Sequence, residues 1–316
     1  MTGFKPSPWL PGRHAQTIFG TLFRAPPAVP LARERWELAD GDFVDVDLLD
    51  GARATLVVLH GLEGSSSAHY VRGLLAEARA RGLRGVALNF RGCSGETNRL
   101  VRSYHSGDTG DVRELVHRVR ARWPDPILFA GCSLGGNVLV KYLGEEGAAA
   151  EVRAAAAISV PFDLALCART LDGPGAMSFV YRTRFLRTLK RKSLEKAPRF
   201  PGGFDAGRLR AVSTLTGFDD VLTGPVHGFA GAVDYYARSS SGPYVSRVRV
   251  PLLLLSAEDD PFIPPESIPR EAAAHNPAVT LEVHAHGGHL GFVEGPPWRP
   301  RFYGERRALE FLLAQL

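Results

Sequence analysis

The run Gly131-Cys132-Ser133-Leu134-Gly135-Gly136 sets one hydroxyl between glycines two residues away on either side. Residues 126–130 before it read as a short buried strand, and residues 137–143 after it as the body of a helix that Gly144 stops. A serine raised on so sharp a strand-to-helix turn sits in strained backbone. Side chains at the flanking positions would collide with the neighbouring strand and helix, and glycine removes them. The spacing fits G-x-S-x-G, a turn that aims a helix N-terminus at a nucleophilic hydroxyl. The plainer alternative is a serine that caps a helix in a glycine-rich turn.

A serine nucleophile needs a base, and the base needs an acid to orient it. With this motif the chain order is serine, acid, histidine. The apolar run 252–255 leads into Ser256-Ala257-Glu258-Asp259-Asp260-Pro261, which puts an acid at the carboxyl end of a buried strand. The next strand, 279–283, leads into His286-Gly287-Gly288-His289-Leu290-Gly291, where glycines leave room for the His289 ring to approach the serine. Asp260 is preferred over Asp259 as the acid, because it lies nine residues past Pro251 and directly precedes Pro261. Two backbone N–H groups should hold the oxyanion: Leu134, directly after the nucleophile, and Leu62, in the His60-Gly61-Leu62-Glu63-Gly64 loop after an earlier strand. His60 then reads as a buried structural histidine, and Cys132 as a small filler of the turn. His284 and His286 have the H-x-H spacing of metal ligands. Isolated H-x-H spacing is weak evidence for a metal site, so no metal is expected.

The elements that must carry these groups alternate. Residues 35–48 read as a hairpin with a two-residue Asp40-Gly41 turn, and residues 54–59 as a strand buried on both faces. Val71, Leu74, Leu75 and Ala78 follow helical spacing up to Gly82, and residues 86–90 form the next strand. A second helix carries Val112, Leu115, Val116 and Val119; residues 155–160 are a strand, and residues 305–316 a closing helix. Strands separated by helices of this length imply a mostly parallel sheet covered on both faces, a single α/β domain over residues 1–316. Residues 161–246 break the rhythm and read as an insertion capping one end of the sheet, with Phe162, Phe179, Tyr181 and Phe185 walling an acyl pocket.

Composition narrows the setting. With 45% hydrophobic residues in 316, the chain can bury a large core. No apolar run approaches the roughly 18 residues of a membrane span. Neither a secretory leader nor a disulfide framework is expected, because the first eight residues lack an apolar segment and the cysteines are only three, Cys93, Cys132 and Cys167. A cytoplasmic setting follows as the expectation. The net charge of +5 is local: residues 182–199 carry eight basic residues against the single acid Glu195. That argues against nucleic acid as a partner. It leaves open a basic amphipathic helix, with Phe185, Leu186 and Leu189 at helical spacing, that could lean on an anionic membrane.

Trp9-Leu10-Pro11-Gly12-Arg13-His14-Ala15-Gln16-Thr17 stands in this chain beside "HGLEGSSSAHY", "NFRGCSGE", "YHSGDTGDVR", "GCSLGGN", "DDPFIP" and "GGHLGF". With these motifs the chain resembles the YheT-like branch of the α/β-hydrolases, which includes plant embryogenesis-associated and animal abhydrolase-domain members. The resemblance runs over residues 9–295, and its tryptophan-led block is more specific than the serine turn. It implies an α/β-hydrolase fold and catalytic roles for Ser133, His289 and an aspartate of the Asp259-Asp260 pair. It also implies hydrolysis of esters with short to medium acyl chains, without a cofactor, on small-molecule or lipid-like substrates. Some animal members act on phospholipids, but no membrane-anchoring N-terminal helix like theirs is expected here, which argues against phospholipid hydrolysis at a bilayer. Transfer of the acyl group to an alcohol or thiol, thioester cleavage, and ligand binding without turnover are the competing readings.

Overall fold

The computed structural model describes residues 3–316. Eight strands form one sheet: β1 (Ala32–Glu37), β2 (Phe43–Leu49), β3 (Thr55–Leu59), β4 (Arg84–Asn89), β5 (Ile127–Cys132), β6 (Ala154–Ile158), β7 (Leu252–Ala257) and β8 (Val279–His284). Their order is β1-β2-β4-β3-β5-β6-β7-β8; β1 and β2 run antiparallel to their neighbours and all other pairs are parallel. The connecting helices are α1 (Arg13–Phe23), α2 (His69–Arg79), α3 (Gly110–Arg122) and α4 (Leu134–Glu146). Between β6 and β7 come α5 (Leu164–Asp172), the long α6 (Ala176–Lys196), α7 (Ala206–Ala211), α8 (Leu215–Phe218), a π-helical turn (Asp219–Thr223), α9 (Gly224–Val226) and α10 (Ala232–Ser239). α11 (Arg270–Ala274) and α12 (Tyr303–Leu313) complete the fold.

The central strands are buried on both faces, which is why their sequences are continuous apolar runs. Alternate residues of β5 serve different layers. Ile127 and Phe129 pack with Val112, Leu115, Val138 and Leu139 of α3 and α4, while Leu128 and Ala130 face Val71, Leu74 and Leu75 of α2 and Leu309 of α12. Each such Leu or Phe contributes roughly 1.5–3 kcal/mol on removal from water. β2 alone runs against the other seven strands of this sheet, and the carboxyl ends of β3, β5, β6, β7 and β8 lie at one edge, where loops gather.

Two local readings change. The β1–β2 turn is three residues long, not two: Gly41 N–H donates to Leu38 O at 3.0 Å and Leu38 N–H to Asp42 O at 2.8 Å, with Gly41 at φ 82. The reason is Asp42, which is fully buried and held by Asn98 and by Arg91 at 3.1 Å, so it belongs to the strand end and not to the turn. Gly144 does not stop α4, which continues to Glu146. Its missing side chain instead lets Tyr244 pack against the helix, since a Cβ there would lie 2.6 Å from the tyrosine Cβ.

Residues 161–246 add no strand. Leu171, Tyr181, Leu186, Leu209, Leu215 and Phe218 make a small apolar core of their own, joined by Phe262 from the loop after β7. Among the described residues, no helix is long and apolar enough to cross a membrane.

Candidate active site

Ser133 sits between β5 and α4 at φ 52 and ψ −122, a left-handed conformation costly for any residue with a side chain. Close packing holds it there. A Cβ on Gly135 would lie 2.5 Å from the His60 carbonyl oxygen, and one on Gly131 would lie 2.7 Å from the Gly135 carbonyl oxygen. The Ser133 N–H donates to Ile158 O at 2.8 Å, tying the turn to β6. Asn137, one turn into α4, donates to Ser106 O and Ser239 O and accepts from Ser241 N–H, which joins the helix to two loops beside it.

His289 Nε2 lies 2.8 Å from Ser133 Oγ, and its Nδ1 lies 2.8 Å from Asp260 Oδ2. An ionised carboxylate only accepts, so Nδ1 carries the hydrogen and Nε2 is left as the acceptor facing the hydroxyl. The other oxygen of Asp260 accepts the N–H groups of Phe262 at 2.8 Å and Ile263 at 3.2 Å. Both side chains are buried, and the Phe262 ring centroid is 4.4 Å from that of His289. Asp259 faces away from this line. Its Oδ1 accepts Gly288 N–H at 2.9 Å, and its Oδ2 lies 3.4 Å from Nδ1 of the exposed His286. Ser133, His289 and Asp260 are therefore brought together, and Asp259 braces the histidine loop.

The two expected oxyanion donors flank the serine. The loop after β3 passes so close that a Cβ on Gly61 would lie 3.1 Å from Ser133 Cβ. Gly61 N–H donates to Tyr70 Oη at 3.0 Å and Glu63 N–H to Tyr104 Oη at 2.8 Å, while Leu62 N–H between them has no protein partner among the described residues. Leu134 begins α4, so its N–H has no intrahelical acceptor. His60 stays behind the loop. Its Nδ1–H donates to Gly61 O at 2.7 Å and its Nε2 accepts Phe90 N–H at 3.1 Å. Burial pushes its pKa down to about 4, so it is a neutral strut.

A cavity of about 170 Å³ opens onto Ser133, His289, Leu62 and Leu134. Of the four aromatics expected on its wall, Phe185 alone lines it. Phe162 is buried in the main core, Phe179 points outward at 59% exposure, and Tyr181 lies under Phe262 with its hydroxyl 3.0 Å from His14 Nδ1. Phe179 is turned to solvent by its helical phase, whereas Tyr181 and Phe185, one turn apart, share the face that packs on Phe262, with Tyr181 toward His14 of α1 and Phe185 farther along at the cavity. Leu171, Leu189, Leu215, Phe218 and Leu222 supply the apolar wall, and Glu63, His105, Lys192, Asp219 and His227 the polar one. Burial pushes His105 and His227 down to about 3, and raises Asp219, which accepts from Tyr236 Oη at 2.7 Å, to about 6.

Other expected residues lie apart from the site. His284 is half-buried among Phe4, Phe292 and Tyr303, away from the exposed His286. No group of three metal-ligating side chains occurs among the described residues. Cys132 is fully buried beneath the turn, and burial raises its thiol pKa. Much of the basic segment turns inward. Lys190 donates to Arg210 O and Val212 O, Lys192 pairs with Glu63, and Lys196 is enclosed by Leu100 O, Arg102 O and Ser103 Oγ. Arg184, Arg187 and Arg191 remain exposed.

The residues that brace the site are the ones the sequence does not mark by chemistry. Thr17 Oγ1 accepts His289 N–H at 2.9 Å, Ser159 Oγ accepts Leu290 N–H at 3.0 Å, and Gln16 Oε1 accepts Val293 N–H at 2.7 Å. The tryptophan-led N-terminal block thus clamps the histidine loop. Its unusual residue string was the available signal, but its spacing alone names no partner.

A family model described as alpha/beta hydrolase fold matches residues 54–296. The YheT protein of Escherichia coli strain K12 is 37% identical over 311 residues, covering 96% of this chain and 91% of that protein. Phospholipase ABHD3 of Homo sapiens is 30% identical, covering 99% of this chain and 79% of that protein. Among solved structures, the Pyrococcus furiosus esterase Pf2001 shares the fold, with a TM-score of 0.59 at 18% identity over 92% of this chain and 99% of that one.

Proposed function

The chain belongs to the α/β-hydrolase family, and on that premise we propose that it is a serine hydrolase of carboxylic esters with short to medium acyl chains. The observation that carries the reading is the continuous hydrogen-bond line from Asp260 through His289 to Ser133, ending at a cavity. His289 Nε2 takes the hydroxyl proton as Ser133 Oγ attacks the ester carbonyl carbon. The buried Asp260 carboxylate stabilises the imidazolium that results. Negative charge develops on the carbonyl oxygen, where the N–H groups of Leu62 and Leu134 would receive it. His289 then returns the proton to the departing alcohol. Water, deprotonated by the same imidazole, attacks the acyl-enzyme, releases the acid and restores Ser133. No group beyond these side chains is required.

The apolar wall from α5, α6 and α8 suits an acyl chain. Relatives named for lipid esters support that substrate class: phospholipase ABHD3, and a monoacylglycerol lipase of Saccharomyces cerevisiae that is 31% identical over 264 residues. We assign residues 161–246 the role of a cap that shapes this wall. A series of p-nitrophenyl esters with acyl chains of roughly two to sixteen carbons tests the reading. Turnover should peak among the short and medium chains and fall for the longest. Absence of turnover at every length, with folded protein, would overturn it.

A further inference from the structure

Glu63 follows directly on the expected oxyanion donor Leu62, and three features of it are unusual. Its backbone is left-handed at φ 54, its side chain is only 7% exposed, and its Oε2 has no partner among the described residues. Tyr104 bridges the residue, accepting its N–H at 2.8 Å and donating to its Oε1 at 2.9 Å, and is itself stacked on Phe90. The cation against this carboxylate comes from far away in the chain: Lys192 Nζ, on α6, lies 2.9 Å from Oε1. One turn later Lys196 anchors the same helix to the loop before α3, through Leu100 O, Arg102 O and Ser103 Oγ.

We propose that Lys192 is a positioning residue that couples the capping helix α6 to the oxyanion donor through Glu63. The inference rests on the ester-hydrolase reading given above. The physical argument is short. A buried carboxylate is tolerated only while a cation or enough donors face it, and one partner lost leaves the charge uncompensated. Without Lys192, Glu63 keeps a single phenol donor and is driven toward water. A left-handed residue persists only while its surroundings hold it there. Its release turns the Leu62–Glu63 peptide, and with it the Leu62 N–H, away from the oxygen it must meet. Seating of α6 and completion of the oxyanion hole are then one event, so a cap that lifts to admit substrate leaves the hole unformed until it returns.

Lys192→Met tests this, with Lys192→Arg as the conservative rescue and Lys190→Met as the control on the same helix. Removing one oxyanion donor costs about 10²–10³ in kcat, so partial misplacement of Leu62 N–H should lower kcat about 10- to 100-fold in Lys192→Met, with KM for a short-chain ester little changed. A trifluoromethyl ketone, whose adduct with Ser133 carries the oxyanion, should lose affinity by the same factor. Inhibition by the product carboxylate should stay as in the wild type. Arginine should restore most of both losses, and Lys190→Met should show neither. A merely structural role would weaken ketone and product alike, or lower thermal stability without splitting kcat from KM; either result overturns the proposal, as does unchanged kcat. Glu63→Gln breaks the same ion pair with the shape kept and serves if Lys192→Met does not fold. Ser133→Ala is run in parallel. If it retains turnover, the hydrolase reading itself falls; if it is inactive while Lys192→Met is normal, the coupling alone is refuted.

Discussion

Replacing Asp260 by Asn should nearly abolish turnover and leave the fold intact, whereas the same change at Asp259 should do little. In Asp260→Asn the side-chain oxygen can keep the two N–H bonds from Phe262 and Ile263, at 2.8 and 3.2 Å, so the loop after β7 has no reason to move. The amide nitrogen is then left facing His289 Nδ1, where Asp260 Oδ2 stood at 2.8 Å. A donor in that place makes Nδ1 the acceptor and moves the ring hydrogen to Nε2, which faces Ser133 Oγ at 2.8 Å and can no longer accept its proton. The loss should be about 10⁴-fold in kcat, or roughly 5.5 kcal/mol of barrier. In Asp259→Asn the bond from Gly288 N–H can persist, and only the contact to the exposed His286 weakens, so activity should stay within about threefold. Initial rates on a p-nitrophenyl ester, with folded fraction matched by circular dichroism, make the comparison. If Asp259→Asn is the inactive variant, or if Asp260→Asn keeps a tenth of the wild-type rate, the orientation argument is refuted.

Three further outcomes follow from the same geometry. Thr17→Val removes the acceptor of His289 N–H and should cost about 1 kcal/mol of stability and about tenfold in kcat, measured by urea unfolding and by turnover; wild-type values of both would contradict the clamp. His60 is held neutral, with its pKa lowered from 6.5 to about 4, so the unfolded chain binds the proton first as pH falls. Its contribution is intact above about pH 6.5 and is lost between there and about pH 4. The stability gap between wild type and His60→Asn should therefore narrow by about 2 kcal/mol from pH 7 to pH 5, and an unchanged gap would refute the assignment. Val180, Arg184, Arg187 and Arg191 form an exposed stripe on α6, so binding to anionic vesicles should be weak, detectable at low salt and lost when the three arginines become Gln. Turnover of a soluble ester should be unaffected, and co-sedimentation that survives in the triple variant would contradict this.

The proposed catalytic groups are legible in the chain because Ser133 and Asp260 follow the buried apolar runs of β5 and β7 and His289 follows the edge strand β8, and because glycines crowd Ser133 and His289 where side chains cannot fit. Asp260 and Asp259 could be ranked but not separated by sequence, since neighbouring carboxylates differ only in which way the loop turns them. What positions these groups was not legible. The Thr17 contact to His289 spans most of the chain, and the Lys192 contact to Glu63 joins a helix to a loop more than a hundred residues away. Long-range pairs of this kind leave no periodicity. The pocket aromatics failed for a related reason. Phe162, Phe179, Tyr181 and Phe185 are all aromatic, but Phe162 enters the main core, Phe179 is turned to solvent, and of the two that share a face of α6 only Phe185 lies far enough along it to meet the cavity, and composition carries neither phase nor depth. The basic segment misled in the same way, because Lys190, Lys192 and Lys196 fold back onto carbonyls and a carboxylate instead of facing water.

The most direct test is the chemistry of Ser133 itself. A fluorophosphonate should label the wild-type protein on the peptide that contains Ser133, and Ser133→Ala, folded as the wild type is, should take no label and lose about a thousandfold or more of its ester turnover. Label on another residue, or near-normal turnover in the alanine variant, would contradict the account.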